Sequence, residues 1–222
     1  MFNDFYFGIE YNTFSSYDKD EPSRYISDFE GKILLLDLND SIRDVVGKFR
    51  FFYLNLILAR QENFCIYELF DWDIGLSKIG EYLMDYSTEN FTREVTQQYG
   101  KKFIKKNLMV LDYIEIIENC RGLELGKMAL KDMIDRFGHQ SCLLALEIFY
   151  PQHGEESFYQ DQRKKWLRQL KWHKLEQDPY KSSVKLTRYF KNLGFDNFLG
   201  EKVFTLNLMN KNPIDRFNFK PI

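Results

Sequence analysis

The sequence predicts an α/β protein built on one mixed sheet. Three observations carry that expectation. A strand-like segment, a glycine-bearing turn, an amphipathic helix and a second strand follow one another between Leu108 and Tyr150, the order of a βαβ unit. Apolar runs bounded by turn residues precede and follow that unit. No internal repeat and no Gly-, Ser- or Pro-rich linker divides the 222 residues, so 1–222 reads as a single domain.

Taken in order, the first thirty residues are aromatic, acidic and turn-rich, and no element is assigned to them. Ile33–Leu38 is a short apolar run between Gly31 and Asn39-Asp40, the pattern of a buried strand. Phe51–Leu58 and Phe64–Phe70 flank the polar turn Arg60–Asn63 and read as a hairpin, with a helix begun at Ser41 as the alternative for the first arm. Residues Ile74 to Phe103 read as helical, with Leu76, Ile79, Tyr82 and Leu83 on one side. Leu108–Ile117 is rich in β-favouring residues, a strand. Gly126–Gly138 is an amphipathic helix with Ala129, Leu130, Met133, Ile134 and Phe137 on one face. Lys127, Lys131, Asp132, Asp135 and Arg136 occupy the other face, and Gly138 stands where a C-terminal cap belongs.

Cys142–Tyr150 is a further strand, stopped by Pro151. In the charged stretch 153–181, Trp166, Leu170 and His173 fall at i, i+4 and i+7 and predict a short amphipathic helix. A last helix, from about Ser183 to Leu193, turns Leu186, Tyr189, Phe190 and Leu193 inward and ends at Gly194. Val203–Leu208 then closes the sheet.

Composition limits the function classes. Apolar residues make up 44% and charged residues 29%, a globular balance that excludes disorder and low complexity. Lys and Arg number 31 against 33 Asp and Glu, so nothing global drives the chain toward nucleic acid or an anionic membrane. The basic stretches 101–106 and 163–168 interleave aromatics and could grip a nucleic acid or an acidic acceptor, but such runs usually form solvated helix faces. Nucleic acid is not an expected partner. Three cysteines without a CxxC pair suggest neither a disulfide framework nor a thiolate zinc site. His139, His153 and His173 are scattered, so no metal site is expected. No secretory signal opens the chain, and the apolar stretch Phe51–Ala59 is about half a membrane span. A reduced, cytoplasmic protein is expected, with a homodimer left open.

The chemically informative string is Asn119-Cys120-Arg121-Gly122-Leu123-Glu124-Leu125-Gly126-Lys127. Glycines between a strand and a helix leave backbone N–H groups unpaired at the positive end of the helix dipole, a site for phosphate or pyrophosphate. Arg121 could add a charge-assisted contact. Alone, such a string also marks a mere tight turn.

With its neighbours, the string resembles motif A of the GNAT acetyltransferase superfamily, in which an Arg/Gln-x-x-Gly-x-Gly/Ala turn after a strand wraps the pyrophosphate of acetyl-CoA. Arg121 and Gly126 match the outer positions, and Gly122 matches a common Arg-Gly variant. Leu186-Thr187-Arg188-Tyr189-Phe190-Lys191-Asn192-Leu193-Gly194-Phe195 resembles motif B, whose helix ends in Leu-Gly-Phe, and Leu146-Glu147-Ile148 looks like the strand between them. The resemblance covers about residues 108–208. It implies a mostly antiparallel mixed sheet with helices on both faces, acetyl-CoA as acyl donor, and a cofactor turn formed by Arg121, Gly122, Leu123, Glu124, Leu125, Gly126 and Lys127. Three departures stand out. Glu124 replaces the middle glycine, and a carboxylate about 4 Å from a phosphate costs of the order of 1 kcal/mol even when solvated. Gln152 stands where the family often has a cofactor-contacting Asn, with the same amide chemistry. About thirty residues, the 153–181 insertion, precede motif B and could fold over the cofactor mouth as a wall or lid.

The resemblance implies transfer of an acetyl group to an amine. A main-chain N–H near Ile116 or Ile117 would polarise the thioester carbonyl. The family's thiolate-side tyrosine is Phe190 here, which makes the adjacent Tyr189 the candidate acid, its alternative being a core aromatic with a satisfied hydroxyl. Strand alternation groups Tyr113, Glu115 and Ile117 against Asp112, Ile114, Ile116 and Glu118. Glu115, a carboxylate in a mostly apolar strand, is the first candidate base, ahead of Asp112 and Glu118, with a salt-bridged structural carboxylate as the alternative. The acceptor, a small-molecule amine or a peptide or protein, is not specified. The other expectation is a GNAT-like module without catalysis that binds an acyl-CoA or a protein or nucleic-acid partner.

Overall fold

A computed structural model describes residues 5–100, 106–148, 164–197 and 202–209. In chain order the strands are β1 (Phe5–Phe14), β2 (Ile26–Asp37), β3 (Ile42–Leu54), β4 (Met84–Asp85), β5 (Asn90–Phe91), β6 (Asn107–Ile116), β7 (Ser141–Glu147) and β8 (Val203–Asn207). The helices are α1 (Leu56–Gln61), α2 (Ile66–Asp71), α3 (Ile74–Leu83), α4 (Arg93–Tyr99), α5 (Leu125–Phe137), α6 (Lys164–Leu170) and α7 (Pro179–Asn192). Six strands form one mixed, mostly antiparallel sheet in the order β1-β2-β3-β6-β7-β8, and β4 and β5 form a separate hairpin. Within the six, only β6 and β7 run parallel, because α5 carries the chain back between them.

Helices cover both faces. On the first, α1–α4 bring Leu56, Leu69, Leu76 and Val95 against Phe52, Leu54, Leu108 and Val110. On the second, α5 lays Ala129, Leu130, Met133 and Ile134 over Phe51, Met109, Leu111 and Leu144. Adjacent Phe51 and Phe52 thus serve opposite cores, as strand alternation requires, and each fully buried side chain stabilises by about 1.5–3 kcal/mol. Phe29 stacks flat on Phe51 at 4.6 Å, so part of the N-terminal aromatic content is core, while Phe5, Tyr6, Phe14 and Tyr17 stay exposed.

Several sequence expectations change. The hairpin read in Phe51–Leu58 and Phe64–Phe70 is instead the end of β3 followed by α1 and α2. Asn55, which interrupts the apolar run, is a helix cap whose Oδ1 accepts the Leu58 N–H at 3.1 Å. The helix at Ser41 is strand β3. The helical stretch from Ile74 breaks at Met84 into the β4–β5 hairpin and resumes as α4; its end at 101–103 lies outside the described residues. Gly138 ends α5 with φ −70, running on into a 3-10 turn rather than forming a left-handed cap. Trp166 and Leu170 are buried in α6 as expected, but His173 is exposed in the 3-10 turn that follows. Residues 5–14 and 26–30, assigned nothing from sequence, supply β1 and the first half of β2.

Candidate active site

The parallel strands β6 and β7 pair from Asn107–Ser141 to Leu111–Leu146. Beyond that point β6 runs on to Ile116 bonded to β3 alone. Opposite Arg50 and Phe51 of β3, β6 advances two residues, from Tyr113 to Leu111, which leaves Asp112 as an extra residue in a β-bulge. The bulge inverts the alternation: Met109 and Leu111 face the second core before it, Ile114 and Ile116 after it. It parts Asp112 from Ile114, with which simple alternation groups it, and Asp112 keeps the face of Val110, the first. There Arg50 holds it at 3.4 Å, together with Asp28 at 2.8 Å and Asp73 at 3.2 Å. Asp112 therefore secures the bulge and is a poor base.

Where β6 and β7 part, a groove of about 650 Å³ opens between Asp112–Ile116 and Leu146–Ile148, bounded by the turn before α5 and by Tyr189 and Phe190 of α7. The ladder decides which backbone groups face it. Ile117 N–H donates to Val46 O at 3.0 Å, so it cannot polarise a carbonyl. Antiparallel alternation then turns the N–H groups of Ile114 and Ile116 to the open edge. Of the two predicted donors, Ile116 is the one that fits.

The turn before α5 has two left-handed residues, Gly122 at φ +82 and Glu124 at φ +57. Gly122 faces open space. Glu124 keeps the backbone a glycine would favour, with strain of the order of 1–2 kcal/mol. Its carboxylate lies 3.6 Å from Lys127 Nζ. The first intrahelical bond of α5 is Met128 N–H to Glu124 O at 2.9 Å, which leaves the N–H groups of Leu125, Gly126 and Lys127 without intrahelical acceptors. Gly126 lies against β6: a Cβ there would meet Ile114 Cγ2 at 3.5 Å.

Arg121 has another role than the one expected. Its Nε donates to Ile116 O at 3.1 Å and its Nη2 to Leu170 O at the end of α6, and burial lowers its pKa. It ties strand, turn and α6 together by their carbonyls. Leu123 packs toward the second core and is not among the groove's lining residues. Gln152 lies outside the described residues. Glu118, the third candidate base, pairs with Lys174 at 2.8 Å and Lys171 at 3.3 Å; those hydrogen bonds hold its carboxyl below the usual range.

Glu115 lines the groove and accepts a hydrogen bond from Trp166 Nε1 at 2.7 Å. Its cross-strand neighbour Lys48 places its ammonium 4.8 Å over the Trp166 ring. Neither Trp166 nor Lys48 was singled out as a site residue from sequence. The one available signal was Trp166 at helical spacing from Leu170 within a charged segment. Tyr189 lines the groove beside Phe190, with ring centroids 5.2 Å apart. Although the residue is 42% exposed, loss of hydration and the Glu124 charge push its phenol up to about 12. It stays protonated and can donate a hydrogen bond to a thiolate, whereas full proton transfer to that thiolate is uphill when its thiol is the stronger acid. No group of three or more His, Cys, Asp or Glu able to hold a metal comes together among the described residues, and no described helix is long and apolar enough to cross a membrane.

The chain matches no protein-family model, no curated protein and no solved structure.

Proposed function

We propose that the chain is an N-acetyltransferase that moves an acetyl group from acetyl-CoA to a primary amine, with a GNAT-like arrangement of sheet and groove. The observation that carries this reading is the parting of β6 and β7 directly beside the N-terminus of α5. A groove between parted strands takes an extended thioester arm, and the N–H groups of Leu125, Gly126 and Lys127, with Lys127's own charge, suit its pyrophosphate. Glu124 is the one unfavourable group there, and its lean toward Lys127 moderates the repulsion.

In this reading Ile116 N–H polarises the thioester carbonyl at the open edge of β6. Glu115, directly or through water, takes a proton from the acceptor ammonium. The freed nitrogen bonds to the acetyl carbon, the carbon–sulfur bond breaks, and the thiolate leaves hydrogen-bonded to Tyr189. A proton released by the newly acylated nitrogen ends on the thiol. The test is release of free CoA thiol on mixing the full chain with acetyl-CoA and a panel of amines. Turnover that Glu115→Gln lowers supports the reading.

Glu124 and the engagement of Arg121 favour a second reading, a GNAT-like module that binds acyl-CoA or a protein or nucleic-acid partner without catalysis. Acetyl-CoA binding without turnover across the panel would support it.

A further inference from the structure

We propose that a polar trough on the first sheet face is the acceptor site and that the acceptor is an α-amino acid. This rests on the acetyltransferase reading above. Where α1–α4 end, the first face of the sheet changes from apolar to charged. A cavity of about 540 Å³ lies there, and the residues lining it include Glu10, Asn12, Glu30, Lys32, Lys48 and Tyr113. Tyr113 lines both cavities and stands two residues before Glu115 on β6.

Lys32 of β2 and Lys48 of β3 are directly opposed, an arrangement that is destabilising unless countercharged. Lys32 is answered by Glu10 at 2.5 Å. Lys48 has no ion pair among the described residues; its ammonium rests over the Trp166 ring. Although Glu30 lines the same trough and Glu115 stands opposite on β6, the half-buried Lys48 ammonium closes no ion pair among the described residues, which leaves it able to receive a small anionic group.

Lys48 is in turn directly opposed to Glu115 on β6, which puts their Cβ atoms about 4.5–5.5 Å apart. An α-amino acid carries its amine and carboxylate on one carbon, so it meets Glu115 and Lys48 together, with its nitrogen on the groove side. An amine without a carboxylate leaves Lys48 unanswered, and a long spacer between the two groups overshoots the pair. Glu10, Asn12 and Glu30 line the rest of the trough and suit a polar side chain. Trp166 is the positioning residue: one indole donates to Glu115 and supports Lys48.

The experiment compares CoA release with polar α-amino acids against the amines left by their decarboxylation, in wild type, Lys48→Met and Lys48→Arg. Acetyl-CoA binding is followed by thermal shift in the same samples, and amino-acid binding to the full chain by saturation-transfer NMR. Amino acids are expected to turn over, with KM raised about tenfold or more in Lys48→Met, kcat within a few-fold, and substantial rescue in Lys48→Arg. Equal or better turnover of the decarboxylated amines, or an unchanged KM in a folded Lys48→Met, overturns the proposal. If acetyl-CoA does not bind, the transferase reading fails; the trough then stands only if amino acids bind wild type and not Lys48→Met, and falls otherwise.

Discussion

The two halves of β6 behave as different materials. From Leu108 to Leu111 the strand is bonded on both edges, and these four residues are buried together with Asn107. From Tyr113 to Ile116 it is bonded on one edge, and these four residues and the bulge residue Asp112 are half-buried. One inserted residue separates the halves. The first is part of the sheet's core; the second offers backbone N–H groups and a carboxylate to an open groove. Substitutions in the first half should therefore be read in stability, and those in the second in binding and rate.

The largest expected effect breaks the second half chemically. Glu115→Gln keeps an acceptor for Trp166 Nε1 but removes the base, and kcat should fall by about 10²–10⁴ with the thermal midpoint nearly unchanged. A loss of stability in place of rate would make Glu115 a structural carboxylate. The next effect breaks the first half: Leu108→Ala removes a fully buried side chain and should cost about 2–5 kcal/mol in urea unfolding. Ile114→Ala, on the half-buried side of the bulge, should cost clearly less. Equal losses would mean that the two halves are packed alike.

The turn before α5 shows how far a sequence discloses such a division. The strand–turn–helix–strand order, the inward face of α5 and the glycines of Arg121-Gly122-Leu123-Glu124-Leu125-Gly126 are local patterns, and each stands where the sequence places it. The bulge is not local. A single extra residue leaves no period of its own, and Asp112 reads as one more polar position in an alternating strand. Arg121 misleads for a related reason: its partners are the carbonyls of Ile116 and Leu170, the second of which is 49 positions away along the chain. Asn55 shows the converse case: it lies inside a segment that reads as strand but caps α1, and its partner, the Leu58 N–H, is in place only once the helix forms.

Glu124→Gly sharpens the comparison from the side of the turn. It relieves a left-handed non-glycine residue and removes a carboxylate beside the α5 N-terminus. Acetyl-CoA affinity, measured by calorimetry, should rise about fivefold, equivalent to roughly 1 kcal/mol, while stability changes by no more than about 1 kcal/mol. Weaker binding would assign Glu124 a positive role, for example in holding Lys127. The smallest effect lies far from the groove, where Glu62 accepts hydrogen bonds from Arg24 and Tyr25 that hold its carboxyl down to about 2. A depressed carboxyl contributes stability above its unfolded value of 4.5 that is lost as pH falls toward 2. The wild-type thermal midpoint should therefore drop more steeply across that window than the midpoint of Glu62→Gln. Acetyl-CoA binding measured at neutral pH should not distinguish the two.

The measurement that bears most directly on the central claim is a thermal-shift titration with acetyl-CoA, comparing wild type with Gly126→Asp. Position 126 sits in the first turn of α5 against Ile114, and an added carboxylate there opposes a pyrophosphate both sterically and electrostatically. At a hundredfold excess over its dissociation constant, a ligand of the native state adds about 2.7 kcal/mol of stability. The predicted result is a raised midpoint in wild type and none in a Gly126→Asp protein whose midpoint without ligand is close to that of wild type. No shift in wild type, or an equal shift in both, would contradict a pyrophosphate site at the start of α5 and the acetyl-CoA reading that rests on it.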